Sequence, residues 1–279
     1  MDYNCLIAGL PELKIEDNKL NFGVADFKKE AEPFLTPEDM RLLGLFYMKF
    51  DNQNLLRYLN DRDAKFDERG NITKMDLVDG LGLSVSNDNP KNYFLIPSYF
   101  DVFVEEYKNA QNTDAEAATW ENRLAELYYE WAMKCDSKMI SDWFEYSLNI
   151  NNILIAYTSR KYQMEVKALG DNDVSETINS STQRDFGLSG IIDELENILR
   201  IVEEPELFER EKKLDLLKWH WLDEQTVFEY FSIEHVFAYI VKLEIIERWL
   251  SFDHEEGGKI FNELFDSLKR SAMNKNQTA

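Results

Sequence analysis

Phe50-Asp51-Asn52-Gln53-Asn54-Leu55-Leu56 is the stretch on which the fold turns, because its pattern comes back twice. Leu148-Asn149-Ile150-Asn151-Asn152-Ile153-Leu154 and Leu243-Glu244-Ile245-Ile246-Glu247-Arg248-Trp249 repeat the order apolar, acid or amide, two variable positions, acid or amide. The first polar residues, at 51, 149 and 244, stand 98 and 95 residues apart, close to one third of the 279-residue chain. A fixed period means that one supersecondary unit recurs. Five residues beyond each first polar residue lie Leu56, Leu154 and Trp249, and eight beyond lie Leu59, Tyr157 and Phe252. On a helix these apolar positions share one face and the polar pair shares another. The spacing predicts three related helical lobes, residues 1–95, 96–186 and 187–279, rather than one enzyme domain around one cleft.

The sequence outside the repeats reads as helix as well. Thr36-Pro37-Glu38-Asp39 carries a cap, a first-turn proline and two acids at the positive end of the helix dipole. Behind it an apolar run from Met40 to Leu59 predicts a helix buried on much of its circumference. Further helices are expected at Ser98–Lys108, Thr119–Lys134, Ser137–Tyr162, Ser189–Val202, Pro205–Trp221, Ser232 to about Phe252, and Lys259–Arg270. Ser84–Lys91 and Ala110–Ala118 read as polar breaks, and Gly170–Phe186 as a mobile loop or linker. Asp2–Leu10 fits a short strand or helix, and Lys19–Val24 a short extended piece. The fold class is therefore all-α, with at most a short strand pair near the N-terminus.

Composition narrows the function. A hydrophobic content of 44% supports a real core. Lys+Arg 31 against Asp+Glu 53 gives a net charge of −22. That excludes nucleic-acid binding through phosphates, which needs a cationic face, and docking on anionic lipid. It suits pairing with a more basic protein. Cys5 and Cys135 make no disulfide framework. The start MDYNCLIAGLPEL has neither a basic region nor a long enough apolar run for a signal peptide, and no stretch approaches 18 apolar residues. A cytoplasmic protein is expected.

Catalytic motifs are missing. His220, His235 and His254 form no HExxH pair, and there is no GxSxG, GxxxxGK[ST] or GxGxxG. Lys65–Asp76 imitates an EF-hand loop with Gly70 at its sixth place, but Lys65 and Arg69 stand where oxygen ligands are needed, so it reads as a Gly-centred turn. A carboxylate metal site on an all-α scaffold would want DDxxD or repeated ExxH, and neither is present. No cofactor and no metal are expected. The paired residues Asp51/Asn54, Asn149/Asn152 and Glu244/Glu247, with Arg248, are the candidate site residues, as inter-helix or partner contacts; lobe-internal hydrogen bonds or plain solvation are the alternatives.

Phe231–Lys259 (FSIEHVFAYIVKLEIIERWLSFDHEEGGK) resembles the C-terminal stretch of the C-type subunit of V/A-type rotary ATPases (the d-type subunit in eukaryotes), where an acid-and-arginine helix precedes a glycine turn. Asn149–Arg160 (NINNILIAYTSR) is similar to that family's middle helix. DYNCLIAGLPEL and KFDNQNLLRYL resemble a bacterial family encoded beside such ATPases. The chain departs from the pattern at Asn149, where an acid is usual, at Glu247, where Asn is usual, and at Trp249, which follows Arg248. The resemblance implies three helical bundles forming a funnel between the central stalk and the membrane rotor ring. It implies a non-catalytic role in ion transport, at the inner membrane face. The competing expectation is an acidic all-helical adaptor for another soluble protein.

Overall fold

Every regular element among the described residues is helical. The computed structural model describes residues 3–15, 17, 19–82, 96–110 and 117–251. The helices are α1 (Asn4–Gly9), α2 (Val24–Ala31), α3 (Pro37–Asn60), α4 (Lys74–Gly80), α5 (Ser98–Ala110), α6 (Ala117–Ala132), α7 (Lys138–Tyr162), α8 (Asp173–Ser180), α9 (Leu195–Val202), α10 (Leu207–Thr226) and α11 (Ile233–Ser251), with a 3-10 turn at Glu32–Phe34. The expected breaks at Ser84–Lys91 and most of Ala110–Ala118, and the expected helix Lys259–Arg270, lie outside the described residues.

Three of the four longest helices among the described residues, α3, α7 and α11, each carry one copy of the repeated pattern. Each starts the same way. The hydroxyls of Thr36, Ser137 and Ser232 accept hydrogen bonds from the backbone N–H of Asp39, Ile140 and His235, three residues on. From cap to first polar residue is 12 residues in α7 and in α11, and 15 in α3, one turn more. Asn172 caps α8 in a reciprocal box with Ser175.

That box overturns one expectation. Gly170–Phe186 is polar but not a mobile loop: α8 lies inside it, with Val174 and Ile178 buried. Two apolar residues four apart are enough to fix a two-turn helix on a core, and a loop-like composition hid them. Near the N-terminus, Asn4–Gly9 takes the helical one of the two forms its sequence allows, whereas Val24 opens α2 instead of closing an extended piece. At Ser189–Val202 only the second half is α-helical.

Packing links each long helix to its neighbours. α3 packs on α6 and α11, α7 on α6, α8, α9, α10 and α11, and α11 on α2, α10 and α3. Phe237 of α11 meets Phe46 of α3 edge-on at 6.5 Å and Phe144 of α7 at 6.0 Å. Phe46 and Phe144 each stand five residues before the first polar residue of their copy. Buried side chains form two clusters. The larger joins α1–α7 to the end of α10 and to α11. The smaller lies among the second half of α7, α8, α9 and the start of α10.

Candidate functional site

The first polar pair fastens a loop. Asp51 and Asn54 are fully buried on α3. The Asp51 carboxylate accepts from the backbone N–H of Asn71 at 2.8 Å and of Ile72 at 3.0 Å. Asn54 accepts from the Asp67 N–H at 2.7 Å and donates to the Asp67 carbonyl at 3.0 Å. From α2, the Lys28 ammonium donates to the Gly70 carbonyl at 2.7 Å and to Asn71 Oδ1 at 3.0 Å. A side chain on Gly70 would collide with Asp51 Oδ1 and stand 3.2 Å from Asn54 Nδ2, so this loop passes only with glycine. The segment that imitates an EF-hand is therefore the receiver of the first polar pair. Burial pushes the Asp51 carboxyl up to about 6, while the two N–H bonds and Lys28 hold it back. Burial pulls the Lys28 ammonium below its usual range.

The second pair does half of this. Asn152, also fully buried, accepts from the Leu169 N–H at 2.7 Å and donates to the Leu169 carbonyl at 2.8 Å, the same two-way clasp that Asn54 makes. Asn149, the counterpart of Asp51, leaves its buried Oδ1 without a partner. Glu126 of α6 accepts the Gly170 N–H instead, at 3.0 Å. Four of the predicted site residues are thus internal, and three of these hold the loop that follows their own helix.

The third pair reaches across the molecule. Glu244 pairs with Lys49 of α3 at 3.0 Å. Glu247 accepts from the Val24 N–H at the start of α2, at 3.4 Å, and lies 3.8 Å from the Arg69 guanidinium. A Cβ on Gly23 would come within 2.7 Å of Glu247 Oε1. Arg248 pairs with Asp215 of α10, which also accepts from the Trp249 indole N–H at 2.8 Å. Burial works against the Glu244 carboxylate, but Lys49 and Arg248 together hold its pKa below the usual range. The Lys49 ammonium is lowered by burial, partly offset by Glu244. Glu244, Glu247 and Arg248 are therefore inter-helix contacts, joining α11 to α2, α3 and α10.

Lys49, Lys28, Arg69 and Asp215 complete these networks, and sequence reasoning missed all four. A cation set directly between Met48 and Phe50 in the α3 apolar run was the available signal for Lys49. Asp215 inside the apolar face of α10 was another.

Among the described residues no group of three or more His, Cys, Asp or Glu could hold a metal ion. His220 is exposed. His235 lines a cavity of about 290 Å³ with Asp223, Tyr239 and Lys242, its pKa lowered by burial and then by Lys242. Burial raises the Cys135 thiol, which disfavours the thiolate. A wider groove runs along α3 from Lys28 to Ile96 and Trp131. No helix is long and apolar enough to cross a membrane, among the described residues.

Residues 1–272 match the family DUF2764, described as a protein family of unknown function. The chain belongs to that family. No curated protein and no solved structure matches it. The match spans all three repeated stretches, so in this DUF2764 chain the loop clasps on α3 and α7 and the cross-links from α11 belong to one family unit.

Proposed function

We propose that this DUF2764 protein is a non-catalytic coupling subunit of a V/A-type rotary ATPase, set between the central stalk and the membrane rotor ring. The observation that carries the proposal is how the three pattern-bearing helices are entered and which helices they pack on. α2, α6 and α10 each precede a Ser/Thr-capped long helix. Each long helix packs on the second helix of the next unit: α3 on α6, α7 on α10, and α11 back on α2. Such a cycle closes on itself, as a body that sits on a rotor axis must. The long helices also converge through Phe237 on Phe46 and Phe144. The cross-links of Glu244, Glu247 and Arg248 stiffen the closing seam, which suits an element that transmits torque. The sequence resemblance of Phe231–Lys259 and Asn149–Arg160 to the C-type family of rotor coupling proteins points the same way.

The test is composition. The ATPase is purified from the membranes of the host under conditions that keep stalk and ring together, and its components are identified by mass spectrometry. This protein at about one copy per complex is the expected result. An intact, coupled ATPase without it would sink the proposal. Recovery of the tagged protein with soluble proteins alone would favour the adaptor reading.

A further inference from the structure

The turn between α10 and α11 exposes aromatic surface that the fold does not use. Val227, Phe228, Tyr230 and Phe231 are 48%, 86%, 60% and 51% exposed. Together they offer on the order of 400–500 Å² of largely apolar surface, at the size of patches that mark interaction sites. The matching turns of the other units behave differently. Between α2 and α3, Leu35 packs on the core and Phe34 is 45% exposed; between α6 and α7, Met133 and Cys135 pack on the core. A long helix can therefore be entered without an exposed aromatic cluster.

The turn is also held in shape. Thr226 donates to the Leu222 carbonyl, the Glu229 N–H to the Thr226 carbonyl, and Ser232 to the Glu229 carbonyl before capping α11. Rings on an ordered turn lose little freedom when they dock. Along the chain this turn carries one sign of charge. Asp223, Glu224, Glu229 and Glu234 flank the rings, and residues 223–234 contain no Lys or Arg. Asp223 is taken by Lys242 and Glu234 accepts from Ser137, but Glu224 and Glu229 make no ion pair among the described residues.

We propose that Phe228, with Tyr230 and Phe231, anchors this protein in an apolar groove of a partner protein whose rim carries Lys or Arg facing Glu224 and Glu229. Charge selects this occupant. A second copy would bring the same carboxylates face to face, and the patch is well below the roughly 800 Å² per partner of a stable dimer. A membrane with anionic headgroups is repelled by the same acids. The assignment stands whether or not the partner belongs to a rotary ATPase.

The experiment places a photoreactive side chain, Phe228→p-benzoylphenylalanine, in the full chain expressed in its host, with Met75→p-benzoylphenylalanine on α4 (Met75 is 74% exposed) as control. After irradiation the adduct is mapped by mass spectrometry. The expected adduct is a segment of another protein with apolar residues flanked by Lys or Arg, absent from the Met75 control. With that segment as a synthetic peptide, Phe228→Ala should weaken binding about 30-fold, as loss of an interface anchor does. Glu224→Lys with Glu229→Lys should weaken it about tenfold and flatten its salt dependence. An adduct with phospholipid, with a second copy or with a neutral or acidic segment would overturn the proposal. So would no adduct, the same adduct from Met75, or unchanged affinity in the variants.

Discussion

Replacing Asn152 by alanine removes both halves of the clasp on Leu169 while leaving the rest of α7 in place. The side chain is fully buried and makes two hydrogen bonds, at 2.7 and 2.8 Å. Each backbone group stripped of its partner costs roughly 1–3 kcal/mol when water cannot replace it. Leu169 is only half-buried, so water recovers part of this. The expected loss for Asn152→Ala is about 2–3 kcal/mol, a large share of the roughly 5–15 kcal/mol typical of a folded domain. Asn149→Ala is the internal control, because Asn149 Oδ1 is buried without a partner. Removing an unsatisfied group should be neutral within about 0.5 kcal/mol, or stabilising. Urea unfolding followed by circular dichroism gives both values, and hydrogen exchange at the Leu169 amide should speed up in Asn152→Ala alone. If Asn152→Ala unfolds with the wild-type midpoint, or Asn149→Ala costs as much, the pair has been misread as a loop clasp.

Three further outcomes follow from the same contacts. Gly70→Ala drives a Cβ into Asp51 Oδ1, and should lower stability by about 2–4 kcal/mol in a urea titration, as overpacking beside a buried polar network does. Asp51 titrates near 6 when folded and near 3.8 when unfolded; the folded state then binds its proton more tightly, so stability falls by roughly 3 kcal/mol as pH rises from about 4 to about 6. Asp51→Asn should lack that slope, so the stability difference between wild type and variant should carry it, seen by thermal melts across that range. Lys49→Met leaves the Glu244 carboxylate without its ion pair, and should cost about 2 kcal/mol, more than half of it regained in Lys49→Met with Glu244→Leu, by a double-mutant cycle.

Helix content was the legible part of this sequence. Thr36 and Ser137 announced α3 and α7 to within a residue, because a hydroxyl before an apolar periodic run specifies both where a helix starts and which way it faces. α8 was not legible, since its short apolar pair is diluted in a polar segment. The candidate site was half legible. Its residues were visible as a recurring pair, but their jobs depend on what lies opposite. The Asp67 and Leu169 backbones and the Lys49 ammonium are distant in sequence from the side chains they meet, and no local pattern encodes that distance. Gly70 offered a usable hint: a glycine after a polar pair marks where a loop must pass close to a buried polar side chain.

The change of chemistry along the repeat has a physical reason. A neutral amide can be buried whole when a backbone N–H and C=O stand opposite, since donor and acceptor are both answered without moving charge into the core. Asn54 and Asn152 do this, each holding the loop that follows its own helix. A carboxylate cannot be answered that way and needs cations or several N–H donors. Asp51 finds two N–H groups and Lys28; Glu244 and Glu247 find Lys49, the Val24 N–H and Arg69, all far up the chain. Replacing Asn by Glu in the third copy thus converts a local clasp into a bond between the two ends of the chain. Contacts from residue 24 to residue 248 become one connected circuit through α2, α3, α10 and α11, and cutting it at Lys49 should loosen the seam between α3 and α11 first.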